Sequence, residues 1–331
     1  MRKLILGKTG IEITPIGLGC WQFAQGAGLL GRFWSVLDQE TVTAVVKAAL
    51  DGGIGWFDTA EAYGGGRSEQ ALARALHSLG RKPGSVVVAT KWFPFLRTAG
   101  SIGATIADRL SCLDGFPIDL HQIHQPVSLS PIPAQMREMA ALVRTGRIRS
   151  VGVSNFSALQ MQAAFDALAR EGIPLASNQV RYNLLDRSIE SNGVLDAAKR
   201  LGVAVIAYSP LAQGMLTGKF HEHPELAEGL SRLRKLLGRY DARALARTAP
   251  LIEELRGIGR AHGATVSQIA LAWLIRAHGD AVVAIPGASR PRHAEEAAGA
   301  MEIELSPKEM SRIDKLSLPL SRGRAIGGGG A

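Results

Sequence analysis

Four polar side chains stand where strand-like apolar runs give out or just beyond: Asp58 in IGWFDTA, Tyr63 in the following EAYGGG, Lys91 closing SVVVATK and His124 closing IDLHQIH. Residues of these types suit the reduction of a carbonyl, which needs a hydride on carbon and a proton on the developing alkoxide. A phenol with an ordinary pKa of about 10 keeps its proton at neutral pH, so Tyr63 is the expected general acid. Lys91 would favour the phenolate through its charge, and Asp58 would keep the ammonium charged and oriented. His124 would donate a hydrogen bond to the carbonyl oxygen, in a tautomer that sequence does not assign. Taken singly, Asp58 could cap a turn and Tyr63 could be a rim aromatic. Lys91 is harder to explain away, because it ends a hydrophobic run. His121 is out of step with His124 under strand alternation and is expected to be structural or solvent-facing. The chemistry needs no metal, and no conventional zinc spacing is present.

The elements that must position these groups alternate along the chain. Strand candidates fall near 16–20, 54–60, 85–91, 118–124, 150–154, 175–180, 203–209 and 281–287, in Val-, Ile-, Leu- and Ala-rich runs that suit strands covered on both faces. Helical spacing appears over 39–51, 67–79, 101–113, 133–145, 157–170, 191–201 and 266–278, then over 291–299 and 306–316 after the last strand. Ser157 is a candidate cap, and Ser306–Pro307 a start signal. Eight strand–helix units predict an α/β fold, a (β/α)8 TIM barrel whose strand ends converge on one mouth. A doubly wound sheet would need a glycine-rich phosphate turn after its first strand, and Gly17-Leu18-Gly19 followed by Cys20-Trp21 does not supply it. The opening runs split by Lys8-Thr9-Gly10 read as a hairpin closing the barrel bottom. Region 212–249 is a long, charged connection on the mouth side. The whole chain, 1–331, reads as one catalytic domain, with 321–331 as a flexible tail.

Composition narrows the class. A net charge of +9 over 331 residues comes without a basic block or aromatic–basic repeat, which argues against nucleic acid and for a general attraction to anionic ligands. No apolar stretch approaches a membrane span of about 20 residues, and MRKLILGKTG lacks a leader pattern. Cys20 and Cys112 form neither a metal pattern nor a disulfide framework, so a cytoplasmic location is expected.

Phe57-Asp58-Thr59-Ala60, Tyr63-Gly64, Ser68-Glu69, Lys91, His124, Gly152-Val153-Ser154-Asn155, Ser177-Asn178-Gln179 and Ala207-Tyr208-Ser209-Pro210 occur in an order that resembles the aldo-keto reductases. The resemblance covers almost the entire chain. Within the family it is similar to bacterial and plant-plastid members of the group related to pyridoxal reductases and potassium-channel β subunits. It implies a (β/α)8 barrel and NADPH/NADP+ as cofactor. It assigns Ser154, Asn155 and Gln179 to the nicotinamide carboxamide and Tyr208 to the face of the nicotinamide ring. Leu211, Gly214 and Lys219 fall to the pyrophosphate side, and Ser289 and Arg290 to the 2′-phosphate. His293 and Glu296 match adenosine-side positions. The chain departs from the family there, with His293 where Arg or Gln is frequent and Ala297 where Asn is frequent. Arg292 could add positive charge.

The aromatic residues Trp21, Phe23, Phe33 and Trp34 of the first loop and Trp92, Phe93 and Phe95 of the third could line an apolar pocket for a small-molecule carbonyl. Trp21 and Trp92 are the expected walls, and the glycine-rich AQGAGLLGR stretch would let the first loop move. Two other functions fit the same fold: a cofactor-binding regulatory protein with little turnover, as in the channel β subunits, and alcohol dehydrogenation as the physiological direction. A monomer is the family-based default.

Overall fold

Along each barrel strand, alternate residues turn to opposite sides, as the pleat requires. The structure, a computed structural model, describes residues 2–24, 36–230 and 240–322. Eight parallel strands form the sheet: β3 (Leu18–Gly19), β4 (Trp56–Asp58), β5 (Val87–Trp92), β6 (Leu120–Ile123), β7 (Ser150–Ser154), β8 (Leu175–Arg181), β9 (Ala204–Tyr208) and β10 (Val282–Ala284). Parallel bridges from Ile16 to Ala284 and from Gly19 to Gly287 join the last strand to the first, so the sheet curls into a barrel. Each of the eight expected runs overlaps one of these strands, with β5 and β8 each running one residue past the expected end.

Helices α1 (Gln39–Asp51), α2 (Arg67–Ser78), α3 (Gly100–Cys112), α4 (Ile132–Arg144), α5 (Ala158–Ala169) and α6 (Val194–Leu201) alternate with β3 to β9. Ser157 caps α5 in a reciprocal capping box with Gln160. Then come α7 (Ala242–His262), α8 (Val266–Leu274), and, beyond β10, α9 (Pro291–Gly299) and α10 (Pro307–Arg322). The helix α7 was not expected. Pro250 interrupts its pattern, although Asp241 caps it properly by accepting from the Ala244 N–H. As far as residue 230, the connection after β9 holds short helical turns, Ala212–Thr217, Lys219–Glu222 and Pro224–Ala227. The expected tail falls mostly on 323–331, outside the described residues, as do Phe33, Trp34 and nearly all of the first-loop glycine stretch.

Two hydrophobic clusters follow from the alternation. One lies between strands and helices; the other fills the barrel floor. The antiparallel pair β1 (Leu4–Ile5) and β2 (Glu12–Ile13) brings Leu4, Leu6, Ile11 and Ile13 against Trp56, Leu120, Ala176 and Ile206. The hairpin therefore plugs the floor with apolar side chains, and polar groups inside the barrel gather toward the opposite mouth. Gly17 is required here, since a Cβ on it would stand 2.2 Å from the Trp56 ring.

Candidate active site

Inward-facing positions near the strand ends collect the polar residues. Asp58 ends β4, Lys91 lies one residue from the end of β5, and Gln122 lies one residue from the end of β6. Lys91 and Asp58 are almost completely buried and form an ion pair. Lys91 Nζ also donates to the Thr59 carbonyl at 2.8 Å and reaches the Tyr63 hydroxyl at 3.5 Å. The second Asp58 oxygen accepts from Gln122 Nε2 at 3.0 Å and Gln179 Nε2 at 2.9 Å. A carboxylate with three donors is well compensated for its removal from water. Burial alone would lower the Lys91 pKa, but Asp58 and Tyr63 together outweigh it and leave the ammonium above its ordinary range. Tyr63 is raised, because burial outweighs the opposing pull of Lys91. The expected phenolate-favouring effect of Lys91 is thus present but is not the larger one in the ligand-free chain.

His124 lies between two aromatic rings. Its ring meets Tyr63 edge-on at 5.7 Å and 81°, and Phe93 at 5.7 Å and 79°. Its Nδ1 is buried without a hydrogen-bond partner, and burial, helped by the Lys91 charge, lowers its pKa to about 3. The imidazole is therefore neutral near pH 7. Trp21 stacks on Tyr63 at 6.0 Å between ring centroids. Trp92 is a correction: expected as a pocket wall, it is wholly buried, with Nε1 3.2 Å from Ser101 Oγ of α3. Lys91 faces inward, so its neighbour must face the helices, and Phe93 takes the place beside His124.

Ser154, Asn155, Gln179 and Tyr208 lie together on one side of this pair. Asn155 Nδ2 donates to the His124 carbonyl at 3.3 Å and to Ser154 Oγ at 3.1 Å, and the Tyr208 hydroxyl donates to Asn155 Oδ1 at 3.0 Å. Asn155 has φ of +61°, a left-handed conformation that Asn tolerates better than most residues. The Gln179 side-chain nitrogen is turned to Asp58, and the backbone carbonyl of Gln179 accepts from Ser154 Oγ at 2.8 Å.

Farther along the mouth, Ala212, Gln213, Gly214 and Gly218 all have positive φ, and Leu211 opens this turn. The N–H groups of Ala212 and Gly214 are used within the turn, donating to the Ser209 and Leu211 carbonyls at 2.9 Å. Lys219 follows, exposed, and its charge is felt by His293 together with those of Arg290 and Arg292. Ser289 approaches His293 Nδ1 at 3.4 Å through both N–H and hydroxyl. Arg290 is the N-cap of α9 without a side-chain cap bond, which leaves the first turn open to an anion. Glu296 accepts from Arg292 Nε at 2.9 Å. The expected positions therefore fall into two groups, one around His124 and one at the start of α9.

Sequence reading missed three contributors: Gln122, Phe93 as the residue on His124, and Glu61, which binds the Phe93 N–H at 2.9 Å. The first had a signal, since Gln122 shares strand parity with His124. His121, of opposite parity, is buried rather than solvent-facing, with its pKa lowered to about 3 by burial and by Arg109. Among the described residues no cluster of His, Cys, Asp or Glu could hold a metal ion.

These buried imidazoles predict a pH effect. His121 and His124 titrate at about 3 in the folded chain against an ordinary 6.5, so the unfolded chain binds protons first as pH falls. Their contribution to stability is full above the upper value and is lost as pH drops through the lower one. Glu69, pushed up to about 7 by burial against the pull of Arg109, acts oppositely: its contribution is present below 4.5 and lost as pH rises through 7. Denaturant midpoints measured between about pH 7 and pH 4 should fall less steeply in His121→Asn than in the parent. Equal slopes would show that His121 is not held neutral.

Residues 15–318 match the model of the Aldo/keto reductase family, and the chain belongs to that family. It is 37% identical over 321 residues to an uncharacterized oxidoreductase of Mycobacterium tuberculosis, covering 95% of this chain and 94% of that one. It is 32% identical to the chloroplastic pyridoxal reductase of Arabidopsis thaliana, covering 92% and 83%. Among solved structures, an aldo-keto reductase from Klebsiella pneumoniae in complex with NADPH superposes with a TM-score of 0.74 at 27% identity, covering 96% of this chain and 95% of the other. The chain is an oxidoreductase of the aldo-keto reductase class.

Proposed function

We propose that this chain is a single catalytic domain that reduces an aldehyde or ketone to an alcohol, with NADPH as cofactor and Tyr63 as general acid. The observation that carries the reading is the buried Asp58–Lys91 pair ending at the Tyr63 hydroxyl, beside a neutral His124. NADPH supplies the hydride when bound. Lys91 holds positive charge where the phenolate develops, and Asp58 keeps that charge in place. His124 can direct a ring N–H at the carbonyl oxygen, in whichever tautomer the bound substrate selects. The substrate oxygen would lie between Tyr63 and His124, with Trp21 and Phe93 excluding water on either side.

The residues present fit NADPH. Asn155, Ser154 and Gln179 carry the donors and acceptors that a carboxamide needs, and Tyr208 offers a ring beside them. Lys219, beside the turn of Leu211 and Gly214, and the start of α9 are suited to phosphates. Arg290 and Ser289 would hold the 2′-phosphate. The Klebsiella pneumoniae relative in complex with NADPH supports the same choice. Arg290→Ala should weaken NADPH binding by roughly tenfold, the loss of a charge-assisted contact, while NADH binding changes little. Equal losses in fluorescence titrations of the two would refute selective recognition of the phosphate.

No helix among the described residues is long and apolar enough to cross a membrane, and Cys20 and Cys112 are free thiols. The free thiols support a cytoplasmic enzyme, and a monomer is kept as the family-based default. The test of the reading is NADPH oxidation across pyridoxal, aromatic aldehydes, short aldehydes and dicarbonyls. Turnover of at least one class is expected; NADPH binding without turnover of any would refute the reductase reading.

A further inference from the structure

Glu61 stands in sequence between Asp58 and Tyr63, yet its side chain serves a different loop. Its Oε1 accepts the Phe93 N–H at 2.9 Å and pairs with Arg97 Nη1, while Oε2 lies 4.0 Å from Arg109 Nε. Its backbone is fixed as well: the N–H donates to the Lys91 carbonyl at 3.2 Å, and the carbonyl accepts from Gly66 at 3.0 Å, closing the loop that carries Tyr63. Arg97 also donates to the Phe93 carbonyl at 3.1 Å, to Ser101 Oγ at 3.1 Å and to Thr105 Oγ1 at 2.9 Å. Both backbone polar groups of Phe93 are therefore held by two side chains that are ion-paired to each other.

Hydrophobic burial does not hold the tip of this loop in place. Phe95 and Leu96 are 58% and 69% exposed, and Leu96 has φ of +56°, a strained conformation for a residue with a branched side chain. The polar clamp must offset that strain. What it fixes is the Phe93 ring, which packs edge-on against His124, whose imidazole in turn meets Tyr63. We infer that Glu61 is a positioning residue for the reduction: with Arg97 it locks Phe93 against His124 and so sets the imidazole relative to the Tyr63 hydroxyl. The inference rests on the proposed reductase reading for its kinetic consequence. Its structural consequence stands without it.

Two variants separate the clamp from general stability. Glu61→Ala removes both the acceptor and the charge; Glu61→Gln keeps an acceptor for the Phe93 N–H. Glu61→Ala is expected to lower kcat on the order of 10²-fold, as a displacement of about 1 Å does, with NADPH affinity unchanged. Glu61→Gln should recover most of that rate. In the ligand-free protein, the ring-carbon NMR signal of His124 should be single in the parent, broadened or split in Glu61→Ala, and restored in Glu61→Gln. A Glu61→Ala protein that binds NADPH and keeps the parental kcat and the parental His124 signal would overturn the inference. If the parent itself reduces no carbonyl, the reductase reading fails, and the His124 signal alone decides the positioning role. Should Glu61→Ala not fold, Arg97→Met cuts the clamp from its more exposed end and carries the same two expectations.

Discussion

Tyr63→Phe is expected to lower kcat for carbonyl reduction by roughly 10²- to 10⁴-fold, the range set by loss of a general acid, while NADPH affinity stays at the parental value. The ring remains, so its stacking on Trp21 and its edge contact with His124 are preserved. Only the hydroxyl is lost, and with it the group 3.5 Å from Lys91 Nζ. Burial raises the Tyr63 pKa in the ligand-free chain, so the phenol is protonated across the ordinary pH range and holds the proton that the alkoxide requires. In the proposed mechanism transfer would be helped by Lys91, whose charge would stabilise the phenolate left behind. Near-parental turnover by Tyr63→Phe would remove Tyr63 as the acid and shift the role to His124 or to water. Rates are compared through kcat, since equal changes in substrate and transition-state binding would appear in KM alone.

Lys91→Met should produce the second large effect, on stability as well as rate. Lys91 and Asp58 are 0% and 1% exposed, so removing the cation leaves a carboxylate buried with only the Gln122 and Gln179 amides as donors. Breaking a buried pair in this way costs about 3–5 kcal/mol, and the loss should appear as a lower denaturant midpoint. The Asp58→Asn/Lys91→Met double variant removes both charges and should regain much of that stability, because no uncompensated ion remains. It should regain no activity, since nothing then stabilises the Tyr63 phenolate. Stability and activity would thus separate between the single and double variants. A double variant as unstable as Lys91→Met, or one that turns over at the parental rate, would contradict the role given to the pair.

The barrel was legible because parallel strands covered on both faces must be apolar throughout, and eight such runs stand out between helical stretches. For the same reason Asp58 and Lys91 were conspicuous: a charge at the end of an apolar run needs a buried partner, and each is the partner of the other. Trp92 was misplaced by a single step of the pleat. A loop aromatic was assumed where β5 still continues, and strand alternation sends that ring toward α3 and Phe93 toward His124. Gln122 could have been found by counting two residues back from His124. Glu61 had no sequence signal, since a carboxylate in a loop reads as solvated until Arg97 and the Phe93 N–H are brought to it by folding. The helix α7 was hidden by Pro250 and by a dense run of charged residues, and its apolar positions Leu251, Ile252, Leu255 and Ile258 become intelligible only against helices α8 and α10, on which it packs.

The most direct test of hydride transfer at this site is the fate of deuterium carried at C4 of NADPH. The purified chain would be mixed with an aldehyde that it turns over and with cofactor labelled on one or the other face of the ring, and the product alcohol analysed by mass spectrometry. Deuterium should reach the alcohol carbon from one labelled form only, because Tyr208 and Asn155, in the proposed cofactor site, would hold a single orientation of the ring, and Tyr63→Phe should carry out this transfer far more slowly. Alcohol formed without deuterium from either form, or cofactor bound with no alcohol formed from any aldehyde, would contradict the account.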